Sequence, residues 1–586
     1  MTQENRMPLS ETDVSAQTVV GEPPNALHSV SPNEASWSSI NLAEAVPGVM
    51  TPLCASAWIP ASEIGLRMPF YAMGVLARRR RHIPADPAER ITNVFYGRMA
   101  VRVDFLCDIG DLIPGQSGEA LSRDFFGFVP PTFVSRPSMR RLPFIVLRYP
   151  RMLARAAKNM ERLRAETDVW WTSAIATTPA VSVAEAQDRI NAGVERFAEA
   201  LAQQSLMAAG VIQPVFEQLT ALASAAGVDA SVLLRGHREH EESVVLQDLW
   251  DVSRNRLSLE EFLARHGYHG PGEGELSARS WREDPTPVVR LIEQYRAMGD
   301  DRAPGMGHAA DAAAREEAEA CLLGSVGAIG RVKARLILRL ARRFVPLRGV
   351  GKVAYLQGVD VVRAAARHIG AELVAQGRLD EADDTFYLTR EEITGDLHDD
   401  LRARVAERRS LRARYQSLDV PSSWTGQPIA TRRKEVSAAD ASTLSGVGAS
   451  PGVVVGKARV VFDPSDVDVQ DGEILVAHTT DPSWVSLMFL SQALVVDIGG
   501  MMSHAAVVAR ELGIPCVMNV ANGTQVLATG DVVRVDGAAG IVEIVERAEG
   551  GGGGTRGGGA PRSGLFIPLS LSAACVWGGG GGGGGC

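Results

Sequence analysis

ALVVDIGGMMSHAAVVARELGIPCVMNV, residues 493 to 520, has the order strand, tight turn, helix, turn, strand. The apolar run 493–497 ends at Asp497, the Gly499-Gly500 pair permits a sharp backbone turn, and Ser503 is placed to cap a helix running to about Leu512. Gly513-Ile514-Pro515 ends that helix before the next β-branched run. His504 falls in its first turn, beside unpaired backbone N–H groups and the positive end of the helix dipole, with only Ala505 and Ala506 crowding its ring. That environment favours an anionic phosphoryl group, and a neutral imidazole is a competent nucleophile near neutral pH. The chemistry suggested is transient phosphorylation of His504; spacing alone also fits a polar residue at a helix start.

The flanking sequence has the same short-strand texture: VVVGKARVVF (453–462), EILVAH (473–478), VVRVDG (532–537) and IVEIVE (541–546). Together they predict a compact β-rich α/β domain over 444–546 containing one clear helix. Upstream, residues 35–416 are dominated by apolar residues recurring every three or four positions, as in 184–227 and 327–345, which predicts a mainly helical domain. Between the two, 417–443 mixes Pro, Ser, Thr and charges and reads as a linker. Residues 1–34 are polar and aperiodic, so disorder is expected there with structure beginning near Trp37, and the Gly-rich tail 547–586 is low-complexity. The expected fold class is multidomain α + α/β, a largely α-helical domain followed by a small β/β/α one.

Composition narrows the function. The chain has 586 residues and a net charge of −9, with 69 acidic and 60 basic residues, so a nucleic-acid binder is not expected. The basic run Arg78 to Arg81 reads as a solvated helix face or loop. Six scattered cysteines with no CxxC pair argue against disulfides and structural zinc. The N-terminus lacks signal-peptide order and no uninterrupted apolar stretch is long enough to span a bilayer, so a cytoplasmic protein without a membrane partner is expected. His266 and His269, with Glu273 and Glu275 nearby, have metal-compatible spacing, but no third spaced ligand follows; local structure or pocket lining is expected, and no metal. Trp281 to Asp284 reads as an ion-pair cluster at a helix end.

Four stretches in order, GVGASPGVVVGKARVV (446–461), TTDPSW (479–484), GGMMSHAAVVARELGIPCV (499–517) and GDVVRVDGAAGIVEI (530–544), resemble the swivelling phosphohistidine domain of the phosphoenolpyruvate-utilising enzymes. The resemblance implies that His504, with Ser503 and the Gly499-Gly500 turn, accepts a phosphoryl group at one site and carries it to another by rotation of the domain on its linker. Pyruvate-handling members have Thr where this chain has Met502, and an apolar residue there is similar to the rifampicin phosphotransferase branch. Three upstream blocks, 41–58, 262–285 and 347–393, resemble that branch's acceptor-binding region. By that resemblance Arg348 and Lys352 would neutralise the transferring phosphoryl group. Relatives place Arg-Glu-x-x-Lys here, whereas this chain has Gly349 in the carboxylate's place.

No nucleotide-binding motif accompanies these blocks. The resemblance therefore implies that ATP and Mg2+ act through a separate ATP-grasp partner that charges His504, and that the acceptor is a hydroxyl of a small organic molecule. The missing carboxylate and nucleotide module also leave a second reading, a catalytically inactive protein that binds or sequesters such a molecule.

Overall fold

The structure, a computed structural model, describes residues 18–19, 22–43, 45–228, 232–233, 241–300, 303–304, 308–397, 400–432, 442–462, 469–470, 472–480, 484–499, 504–520 and 522–548. Up to Gln416 the chain is mainly helical. Its principal helices are α1 (Pro52–Met73), α2 (Leu142–Thr177), α3 (Val183–Met207), α4 (Glu241–Ser253), α5 (Leu259–His266), α6 (Thr286–Ala297), α7 (Ala328–Phe344), α8 (Val350–Ala375) and α9 (Leu401–Gln416). Helix α3 begins in a capping box: Ser182 accepts from the Glu185 backbone N–H while the Glu185 carboxylate accepts from that of Ser182. Its buried residues Ala186, Ile190, Val194, Phe197 and Ala198 recur at helical spacing.

The core is centred where α3 packs against α8 and α1. A Cβ on Gly193 would sit 2.6 Å from Val362 Cγ2 and 3.1 Å from the Gly358 carbonyl oxygen, so paired glycines set how closely α3 and α8 approach. The continuous helical stretch Val183–Ala226 is long and apolar enough to cross a membrane by length and composition, but α1 and α8 pack along its first half.

Seven short strands decorate this helical body: β1 (Thr18–Val19), β2 (Ser36–Ser38), β3 (Thr92–Phe95), β4 (Arg98–Arg102), β5 (Leu418–Asp419), β6 (Ser423–Thr425) and β7 (Ala430–Arg432). They form two sheets, ordered β1-β7-β5 and β3-β4-β2-β6, and correct two sequence expectations. Order begins well before Trp37: Leu27 is fully buried in the main core, and His28 packs against Tyr96 with ring centroids 4.4 Å apart. The stretch assigned to a linker is strand-forming as far as Arg432 and pairs with β1 and β2. Both segments lack apolar periodicity because each strand is too short to show alternation, and their partners lie nearly 400 residues away in the chain. The rest of the proposed linker, 433–441, lies outside the described residues, as do 1–17 and nearly all of the Gly-rich tail.

The C-terminal unit is one mixed eight-stranded sheet. Its strands are β8 (Thr443–Ser445), β9 (Val447–Ser450), β10 (Val453–Val461), β11 (Ile474–Ala477), β12 (Ala493–Val496), β13 (Cys516–Met518), β14 (Val532–Asp536) and β15 (Ile541–Glu546). The order is β8-β15-β14-β10-β11-β12-β13-β9, with β10 to β13 parallel and the outer pairings antiparallel. Every strand expected from the sequence is present, and β8 and β9 are added. The expected helix is α11 (His504–Leu512); the turns α10 (Val485–Leu490) and α12 (Gly523–Val526) accompany it. An apolar seam joins this unit to the helical body: Phe489 of α10 meets Tyr295 of α6 with ring centroids 5.5 Å apart, within a cluster that includes Trp250, Trp281, Trp484 and Met488.

Burial lowers the His28 pKa to about 4, against an opposing pull from Glu22. Between about pH 6.5 and pH 4 the unfolded chain binds a proton that the folded chain refuses, so stability falls as pH drops through this window. The slope from this one group is at most about 1.4 kcal/mol per pH unit. His28→Gln should flatten the dependence of Tm on pH over that range; an unchanged profile would show that the N-terminal segment does not bury this ring.

Candidate functional site

Strand β12 delivers the chain to the carboxyl end of the parallel strands, where open α/β sheets place their ligands. Asp497, at the strand's end, is buried and accepts hydrogen bonds from Thr524 Oγ1 at 2.5 Å and from the Thr524 backbone N–H at 3.2 Å, with His478 Nδ1 3.2 Å away. This clamp fixes the start of the turn. Gly499 follows at φ 151°, a conformation that favours glycine. Gly500 and Ser503 lie outside the described residues, as does the side chain of His504, whose backbone opens α11. Ala505, Ala506, Val508 and Ala509 of that helix are buried. The end of β12 is therefore held by Asp497, His478 and Thr524; the sequence reading named Asp497 only as the strand's end and did not name the other two. Their only sequence signal is a carboxylate at the end of an otherwise apolar run.

In the helical body the three separately quoted blocks converge on the loop 267–284. Trp58 Nε1 donates to the Gly274 carbonyl at 2.8 Å, and Glu275 accepts from the Thr51 hydroxyl at 2.6 Å at the start of α1. A Cβ on Gly274 would lie 1.8 Å from the Ala45 carbonyl oxygen, so only glycine fits there. From the third block, the buried Arg363 donates through Nη2 to the Glu273 and Glu275 carbonyls at 2.6 and 2.8 Å. Arg282 pairs with Asp360 and Arg367 with Glu283, and Asp284 accepts from the Thr286 backbone N–H at the start of α6. The cluster Trp281 to Asp284 thus holds the loop to α8.

At the centre lies Glu273. Its carboxylate is 2.9 Å from Lys352 Nζ and 2.5 Å from His269 Nδ1. Burial alone would raise the Glu273 pKa, but Lys352 and His269 outweigh it and hold the value near 2. The sequence reading named Lys352 as a cation for the phosphoryl group and did not foresee that a carboxylate from the 262–285 block meets it. Arg348 lies in the turn just before α8, and its carbonyl accepts from Gln204 Nε2 at 2.8 Å. The metal-compatible spacing does not yield a donor set: His266 bonds Asp248 at 2.8 Å, His269 bonds Glu273, and Glu275 caps α1. Among the described residues no group of three His, Cys, Asp or Glu is placed to hold a metal ion.

Comparison with known proteins adds two matches. Residues 469–540 match the PEP-utilising enzyme mobile domain, and residues 190–349 match the rifampicin phosphotransferase fourth domain. The chain is similar to rifampicin phosphotransferases over about half of its length. It is 31% identical to the rifampicin phosphotransferase of Bacillus subtilis over 307 residues, 50% of this chain and 35% of that protein. It is 33% identical to the prodigiosin synthesizing transferase of Serratia marcescens over 301 residues, 49% of this chain and 33% of that one. An uncharacterised protein of Mycobacterium tuberculosis is 33% identical over 283 residues, 48% of this chain and 30% of that protein. The chain thus spans about a third of the length of these curated relatives.

Lys352→Met should lower stability by about 3–5 kcal/mol, because it leaves the Glu273 carboxylate buried without its cation. Lys352→Met combined with Glu273→Leu should recover much of that loss. Chemical denaturation of both variants checks this; equal destabilisation of the two would mean the pair is not coupled as described.

Proposed function

We propose that this protein is a phosphotransferase component in which His504 carries a phosphoryl group to a hydroxyl of a small organic acceptor. The observation that carries the reading is the glycine turn and helix start at the carboxyl end of β12, with His504 as the first helical residue. The sequence match of the surrounding unit to the PEP-utilising enzyme mobile domain supports it. On this reading the phosphoryl oxygens lie near the backbone N–H groups at the start of α11, and Ser503, Gly499 and Gly500 belong to the same site. A partner of the ATP-grasp class, using ATP and Mg2+, charges the histidine. The unit then leaves its apolar seam and rotates as a body to the acceptor.

In the second half-reaction the acceptor oxygen attacks phosphorus, the nitrogen–phosphorus bond breaks, and the hydroxyl proton goes to the imidazole, which returns neutral. Arg348 offsets the charge on the phosphoryl oxygens in transit. Lys352, tied to Glu273, acts beside it and fixes the loop 267–284 against the acceptor. One relative's name couples phosphotransfer to rifampicin and another's gives prodigiosin as what it synthesises, which supports a small organic acceptor as the class without choosing one.

Intact-mass analysis should show a gain of one acid-labile phosphoryl group after incubation with an ATP-grasp partner, ATP and Mg2+, and no gain in His504→Ala. No gain in the wild type, with a partner of demonstrated activity present, would overturn the carrier role. In Arg348→Ala, charging should proceed normally while discharge to acceptor slows about a hundredfold. Equal discharge would remove Arg348 from the transfer site.

A further inference from the structure

A surface far in sequence from the histidine turn has an unusual composition. Residues 125–160 contain seven cations (Arg136, Arg140, Arg141, Arg148, Arg151, Arg155 and Lys158) and no Asp or Glu, in a chain whose net charge is −9. The same stretch leaves large apolar side chains in solvent: Val134, Met139, Phe144, Val146 and Leu147 are between 47% and 67% exposed. Along α2 the pattern is directional. Met152, Ala156, Met160 and Leu163 face the core, while Phe144, Leu147, Arg151, Arg155 and Lys158 fall on the opposite, exposed stripe. Apolar side chains therefore stand in the middle, with cations before and after them.

The basic run Arg78 to Arg81, assigned from sequence to solvent, joins this surface. Arg141 Nη2 donates to the Gly74 and Leu76 carbonyls at 2.8 and 3.1 Å, which fixes the start of α2 to the end of α1. Arg148 and Arg81 lie over the same Tyr71 ring, 4.5 and 5.4 Å from its centroid. Two carboxylates nearby are already engaged: Asp108 pairs with Arg80, and the buried Asp111 accepts from Ser135 and the Arg136 backbone.

We propose that this surface docks the protein onto a bilayer carrying anionic headgroups, with Phe144, Val146 and Leu147 entering the headgroup boundary and the flanking arginines meeting lipid phosphates. An exposed apolar stripe bracketed by cations and free of carboxylates is the pattern of an interfacial helix. The arrangement differs from a spanning helix, because the opposite face of α2 is packed in the core. This inference is independent of the phosphotransferase reading and stands or falls without it.

The test is co-sedimentation of the full chain with vesicles of phosphatidylcholine alone or of phosphatidylcholine mixed with phosphatidylglycerol. The wild type should bind the mixed vesicles, bind the neutral ones weakly, and lose binding as salt rises. Arg140→Gln with Arg151→Gln should weaken binding to the mixed vesicles about thirtyfold. Val146→Ser with Leu147→Ser should also weaken it, and neither pair should change Tm, since all four side chains are exposed. A folded wild type that does not bind the mixed vesicles would overturn the proposal, as would binding that both variants retain. Self-association lost in the variants, without vesicle binding, would also overturn it and assign the face to protein contact.

Discussion

The buried pairing of Glu273 with Lys352 is the constraint around which the helical body is organised. A loop rich in glycine and polar groups cannot sit inside a protein on apolar contacts alone, because each buried charge and carbonyl needs a partner. Glu273 meets that need with a cation from α8 and an imidazole from its own loop. Arg363 then satisfies the loop's carbonyls, and Glu275 turns outward to cap α1. The first turns of α1 and α8 are thereby set against one loop.

How much of this could be read from the chain depends on the range over which its signals act. The strands of the C-terminal unit are continuous β-branched runs, and a buried parallel strand advertises itself that way. The helix opening at His504 was legible because a glycine pair precedes it and a Gly-Ile-Pro stop follows it, all within 17 residues. The strands β5 to β7 were not, since two or three residues carry no periodicity, and β6 and β7 find partners at the other end of the chain. His28 was invisible for the same reason: nothing local announces that Tyr96 and Tyr415 will enclose it.

The acceptor-side residues sit between these extremes. The spacing of His266, His269, Glu273 and Glu275 drew attention to the correct loop, but each side chain has its own partner, from Asp248 to Thr51. Gly349 stands where the resemblance implies a carboxylate, and Glu273 reaches Lys352 from across the fold. Only the folded chain reveals that pairing, since more than seventy residues separate the two partners.

The apolar seam at Phe489 and Tyr295 has a thermal consequence. Separating the C-terminal unit from α4 to α6 exposes aromatic and aliphatic surface to water, so the separation carries a positive heat capacity. The attraction across such a seam weakens on cooling. Cooling therefore loosens the hold of α4 to α6 on the C-terminal unit, and warmth toward the physiological range tightens it.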